Sequence, residues 1–185
     1  MSGARPQVIA VFGGSFDPPH VAHALVACYV LSTVRVDRFL VVPTARHPFD
    51  KQLSPFEHRH RMCELAMAHL KNVEVSSIEA ELGGESLTLR TLKALKERMP
   101  TVQLRLVIGS DLLPGTRDWH NFPAVEALAP PIIVQRVGHE TDHGRPALPA
   151  VSSTEVRRRV RAGEPLTGLV SPAVAEYIDT HQLYG

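Results

Sequence analysis

The sequence lacks most features that would fix a function by themselves. It carries two cysteines, Cys28 and Cys63, in 185 residues. They make neither a disulfide framework nor a CxxC redox pair. Both fall in apolar helical patterns and read as buried, reduced thiols of a cytoplasmic protein. Neither sign of charge dominates, with 20 Lys and Arg against 19 Asp and Glu. This balance argues against a bulk attraction to nucleic acid or to an anionic membrane, so any bound anion needs a local cluster. No apolar run approaches the ~20 residues of a spanning helix. Residues 1–7 are polar, and the apolar run after them is too brief for an export signal. Aromatic residues make up only 5%, with Trp119 the single tryptophan. There is no Walker loop, no dinucleotide G-x-G-x-x-G and no Ser/His/Asp arrangement.

What is present is an ordinary globular composition, 44% hydrophobic and 21% charged. The length suits one domain over residues 1–185, with 152–185 as its C-terminal helical part. Short apolar, strand-like runs lie at 7–12 (QVIAVF), 38–42 (RFLVV), 73–76, 103–108 (QLRLVI) and 132–137. The first stops at Gly13-Gly14. Helical patterns alternate with them at 21–33, 54 to about 70, 87–99, 152–163 and 171 to about 182. Ser54-Pro55-Phe56-Glu57 and Ser152-Ser153-Thr154-Glu155 both read as capping boxes, and Gly163 as a C-terminal cap.

The alternation predicts an α/β protein, a doubly wound Rossmann-like parallel sheet with helices on both faces. With the common order 3-2-1-4-5, the first and fourth strands adjoin where the order reverses. A ligand crevice then opens at their carboxyl ends, at residues 13–19 and 109–111. Residues 138–149 (GHETDHGRPALP) are polar and turn-rich, and read as a mobile surface loop.

Two clusters carry chemistry. The first is GGSFDPPHVAH at 13–23. Glycines after a strand allow close backbone approach, and the helix that follows turns free N–H groups and its positive dipole end toward the crevice, which suits phosphate. His20 and His23, three apart, share one face of the first turn and make a compact pair of phosphate donors. No Cys or carboxylate at ligand spacing completes a metal site around them. The second is VSSTEVR at 151–157. One cap needs one hydroxyl, whereas Ser152, Ser153 and Thr154 supply three, with Arg157 one turn in. Together they suit a triphosphate tail. Arg158, Arg159 and Arg161 read as a solvated helix face.

These clusters resemble the paired (T/H)xGH and ISSTxxR signatures of the nucleotidyltransferase superfamily, in the right order. Residues 107–113 (VIGSDLL) with Trp119, 85–92 (ESLTLRTL), 59–66 (RHRMCELA) and the ending 177–184 resemble segments of bacterial nicotinate mononucleotide adenylyltransferases. Ala22 stands where the pattern has glycine, Leu87 where it often has tyrosine, and His120 where an aromatic often follows the tryptophan. The resemblance implies adenylyl transfer from ATP to nicotinate mononucleotide in NAD biosynthesis, with Mg²⁺ held mainly through the ATP phosphates rather than by protein ligands. It implies catalytic roles for His20, His23 and Arg157. It implies ATP contacts from Gly13, Gly14, Ser15, Phe16, Gly109, Asp111, Ser152, Ser153 and Thr154, and mononucleotide contacts from Lys51, Thr88 and Trp119. Trp119 sits among polar sequence neighbours, as a ligand platform would. Small molecules are thus the expected partners, with no nucleic acid or membrane. A pantetheine-phosphate adenylyltransferase, a small cytidylyltransferase and an inactive nucleotide-binding module remain alternatives.

Overall fold

Five strands pair in parallel in the order β3-β2-β1-β4-β5: β1 (Val8–Gly14), β2 (Arg38–Pro43), β3 (Val73–Val75), β4 (Gln103–Gly109) and β5 (Pro131–Val134). The computed structural model describes residues 5–46, 52–142 and 144–185. Helices connect the strands: α1 (Val21–Thr33), α2 (Phe56–Met67), α3 (Ile78–Leu82), α4 (Thr88–Arg98) and α5 (Phe122–Leu128). Two more, α6 (Ser153–Arg161) and α7 (Pro172–Thr180), follow the last strand.

The period-two alternation of side chains builds a core on each face of the sheet. Ile9, Val11, Leu40, Val42, Leu104, Leu106 and Ile108 pack with Ile78, Leu92, Leu95 and Val125 of α3, α4 and α5. The alternate residues Ala10, Phe39, Val41 and Val107 pack with Val26, Ala27, Val30, Cys63 and Met67 of α1 and α2. Both cysteines are free, and Cys63 is fully buried. A third cluster joins Met62 and Ala66 of α2 to Val156 of α6 and to Val174 and Ile178 of α7. It draws the C-terminal helices back over the start of the chain.

Several boundaries differ from the sequence reading. β1 does not stop at its glycines, because Gly13 and Gly14 pair with Val42 and Pro43. β5 ends at Val134 instead of 137. Beyond it the Arg136 N–H is taken by Ser110 Oγ at 3.0 Å rather than by a neighbouring strand. Ser54 is not a helix cap. Its N–H donates to Asp17 Oδ2 at 3.3 Å and its carbonyl accepts from Arg59 Nε at 2.7 Å, leaving Pro55 at the N-cap position. Ser152 does cap α6, accepting from Glu155 N–H at 3.2 Å, and Gly163 follows it with φ +64°. The Glu155 carboxylate turns outward to Arg158 and Arg159, so half of that box forms. α3, α5 and a 3-10 helix at Ser110–Asp118 were absent from the pattern, being too short or too broken by Pro114 and Gly115 to show a helical period. Toward the end of the 138–149 segment, the Leu148 N–H donates to Gln135 O at 2.8 Å and ties the chain back to the end of β5.

Candidate active site

The order reverses between β1 and β4, and the segments leaving those two strands face one crevice, as this topology requires. Gly13 is exposed at the end of β1. A Cβ built there would meet only Val42 O, at 4.0 Å, so this glycine keeps open ground for a ligand. Gly14 serves another purpose: a Cβ there would lie 3.2 Å from the Phe16 ring. Phe16 adopts φ +46° and buries its ring beside Phe12 and 4.8 Å from the His23 ring. The side chain of Phe16 therefore belongs to the core, and only its backbone and that of Ser15 remain for a ligand.

The two histidines open α1. His20 is its N-cap and His23 its third residue, and their rings stack with centroids 3.7 Å apart. The His20 N–H donates to His23 Nδ1 at 3.0 Å. That bond fixes the His23 tautomer, leaving Nε2 as the protonated donor of the neutral ring. His20 is buried, and its Nδ1 has no hydrogen-bond partner among the described residues. Burial, then the charge on Arg136, pushes the His20 imidazole down to about 4. Burial, then His20 and Arg136, holds His23 well below the usual range. Both rings are thus neutral at pH 7 and present donors without permanent charge. Ala22 beside them is itself buried.

The second cluster docks on the first. Ser153 Oγ donates to Pro18 O at 2.9 Å, and Arg157 donates to Asp17 O at 2.6 Å and to Thr154 Oγ1 at 3.3 Å. The three hydroxyls divide their work. Ser152 caps the helix, Ser153 ties the two signatures together, and exposed Thr154 stays beside the guanidinium. Arg158 and Arg159 lie outside this cradle in ion pairs with Glu155 and Glu164.

Across the crevice, Gly109 and Asp111 leave β4. Asp111 Oδ2 pairs with Arg136 at 2.9 Å, whereas its buried Oδ1 has no partner among the described residues. A Cβ on Gly109 would lie 2.4 Å from that same Oδ1. Arg136 also donates to Val151 O at 3.1 Å. It therefore links the end of β4, the end of β5 and the residue before Ser152. Sequence reasoning missed Arg136, since a lone arginine after a strand carries no spacing signal. It also missed the open depression of about 590 Å³ that Ser110, Leu113, Pro114, His139, Glu140 and Thr141 line beside it.

Thr88 begins α4, which has no side-chain cap, so the first N–H groups of that helix stay open. Ser86 Oγ accepts from the Ala45 and Arg46 N–H groups, holding the segment after β2 against the start of α4. Lys51 lies outside the described residues. Trp119 is half-buried and has more apolar company than its sequence neighbours suggest. It meets Phe122 edge-on at 5.8 Å and packs against the core.

The cytidylyltransferase-like family model matches residues 11–159. A probable nicotinate-nucleotide adenylyltransferase of Anaeromyxobacter dehalogenans (strain 2CP-C) is 46% identical, over 100% of this chain and 99% of the relative. The chain belongs to the nicotinate-nucleotide adenylyltransferase family. Another member, the probable nicotinate-nucleotide adenylyltransferase of Myxococcus xanthus (strain DK1622), is 39% identical over 98% of this chain and 97% of its own. Among solved structures, Plasmodium falciparum nicotinic acid mononucleotide adenylyltransferase complexed with NaAD superposes with a TM-score of 0.81. That match covers 96% of this chain and 97% of the other at 23% identity. The parallel sheet with flanking helices is thus the nucleotidyltransferase fold. The family membership fits the two docked signatures, which lie some 130 residues apart in sequence.

Proposed function

We infer that the crevice binds ATP and nicotinate mononucleotide and forms nicotinate adenine dinucleotide with release of pyrophosphate. The observation that carries this reading is the stacked, neutral histidine pair at the start of α1, with Arg157 docked beside it. In the step, a phosphate oxygen of the mononucleotide forms a bond to the ATP α-phosphorus. The bond from that phosphorus to the bridging oxygen breaks, and pyrophosphate leaves with the electron pair. The attacking phosphate is already anionic, so no general base is needed, and catalysis reduces to positioning and to stabilising charge.

His23 donates from Nε2 to the α-phosphate oxygens as their charge grows. His20, whose Nδ1 is unpartnered, turns a second ring toward the phosphates. Arg157, Thr154, the Ser152 hydroxyl and the backbone N–H of Ser153 at the N-terminus of α6 receive the β- and γ-phosphates. Gly13, Gly14, Ser15 and Phe16 offer backbone contacts, while Gly109, Asp111 and the depression beside Arg136 take the nucleoside side. Lys51 holds the mononucleotide phosphate, Trp119 stacks on the pyridine ring, and Thr88 meets the ring carboxylate.

Mg²⁺ supplies neutralisation of phosphate charge when bound. The donor set fits a metal carried by ATP: both carboxylate oxygens of Asp17 are engaged, by Ser54 and Tyr184, and among the described residues Asp111 keeps only Oδ1 free beside its pair with Arg136. We place the protein in the cytoplasm as one folded unit acting on small molecules rather than on nucleic acid or membrane. Among the described residues, no helix is long and apolar enough to cross a bilayer.

The test is pyrophosphate release with Mg-ATP, offering nicotinate mononucleotide, nicotinamide mononucleotide and phosphopantetheine side by side. Fast release with nicotinate mononucleotide is expected. Release with phosphopantetheine alone would overturn the acceptor, and silence with all three would leave a nucleotide-binding module.

A further inference from the structure

Beyond α7 the chain does not trail away. It turns through Gln182 (φ +48°) and Tyr184 (φ +68°), two non-glycine residues in the left-handed region. Such conformations cost of order 1 kcal/mol or more each and persist only where surrounding contacts hold them. Here Leu183 and Tyr184 pack on the cluster shared by α2, α6 and α7, and the Tyr184 hydroxyl donates to Asp17 Oδ1 at 2.7 Å. Asp17 lies within the first signature, 167 residues away, and is 4% exposed.

We propose that Tyr184 is a positioning residue for the triphosphate grip, acting through Asp17 on Arg157. Asp17 joins three segments. One carboxylate oxygen accepts from Tyr184, the other from the Ser54 N–H before α2, and its carbonyl accepts from Arg157. The buried Arg59 guanidinium braces the same loop from below, donating to Ser15 O at 2.9 Å and to Ser54 O. The Asp17 backbone thus sets where the Arg157 guanidinium starts. Three residues further on it also sets the entry of His20 into α1. Without the Tyr184 hydroxyl, a buried carboxylate oxygen loses its partner, and a group so deprived draws the backbone around it toward another donor. Arg157, bonded to the Asp17 carbonyl, moves with that backbone and is drawn off the ATP side.

The inference rests on the assignment of Arg157 to the ATP phosphates, so its test uses ATP alone and does not depend on the acceptor. Tyr184→Phe keeps the ring packing and removes the hydroxyl. Calorimetry with Mg-ATP should show binding weakened by roughly tenfold or more, the worth of one displaced charge-assisted bond. In an Arg157→Lys background the same change should cost less than twofold. A purely structural role for Tyr184 would lower the thermal midpoint yet leave ATP affinity per folded molecule intact, and that result overturns the proposal. An equal loss in both backgrounds overturns it as well. If Arg157→Lys alone leaves ATP affinity intact, the phosphate assignment fails, and the proposal with it. Should Tyr184→Phe not fold, Asp17→Asn decides by the same calorimetry: weaker ATP binding sustains the proposal, and unchanged affinity ends it.

Discussion

At the scale of single residues, His23 carries the most. The imidazole is half-buried, stacked on His20 and held by the His20 N–H, so its orientation is set before substrate arrives. Preorganised donors of this kind lower a barrier because nothing has to reorganise as charge develops. Truncation removes that donor while leaving a cavity close to the surface. His23→Ala should therefore fold normally and lose turnover by about 10²-fold or more, the usual cost of a key transition-state donor. Circular dichroism with pyrophosphate release checks both halves, and turnover near that of the wild type would remove His23 from the mechanism. The pair His20 and His23 was visible in the sequence because helical spacing dictates a shared face. The tautomer was not, since it depends on which backbone N–H the folded loop brings to Nδ1. Phe16 adds what its place in the loop does not tell: a positive φ turns its ring inward onto Gly14, which leaves its backbone for a ligand.

At the scale of elements, the strands and the longer helices were legible because they are bounded by strong signals, such as Pro18-Pro19 before α1 and Ser171 before α7. The latter caps its helix by accepting from Val174 N–H at 3.3 Å. Ser54 misled because its sequence satisfies the capping pattern, while tertiary structure claims its backbone for Asp17 and Arg59. Arg136 was invisible because its role is to join the ends of three segments that only the fold assembles. The same residue shapes the acid response of the α1 entrance. His20 falls from 6.5 to about 4 on folding, chiefly by burial and then by Arg136, and His23 falls with it. The unfolded chain takes up both protons near pH 6.5, whereas folded His20 takes up its own only near pH 4 and folded His23 stays well below its usual range, so just below pH 6.5 the unfolded state binds more protons. Stability then drops as the pH falls through that window. The thermal midpoint should decline measurably from pH 6.5 to 4.5, with a shallower slope in Arg136→Gln, where one cause of the shift is gone. A flat midpoint across this range would contradict the buried, neutral pair.

At the scale of the whole molecule, function depends on folding that returns the C-terminal part to the first loop, not on a strong net field. The formal charge is only +1. The proposed ATP site instead gathers Arg157, Arg136 and two helix N-termini at one end of the sheet, where the strand order reverses. The third apolar cluster holds this arrangement, with Met62, Val156 and Val174 each fully buried between α2, α6 and α7. Among the described residues, no three of His, Cys, Asp or Glu are grouped to hold a metal ion. A divalent ion that enters with ATP has a different signature from one built into a fold. Removing a structural ion unfolds the protein, because its binding energy is part of the folding energy. Removing an ion that rides on the triphosphate stops turnover and leaves the free protein as stable as before. Excess chelator should accordingly abolish pyrophosphate release while the thermal midpoint of the nucleotide-free protein stays within about 1 °C, a shift well below that of a 1 kcal/mol change. A drop of several degrees would instead locate an ion within the protein and displace the ATP-borne assignment.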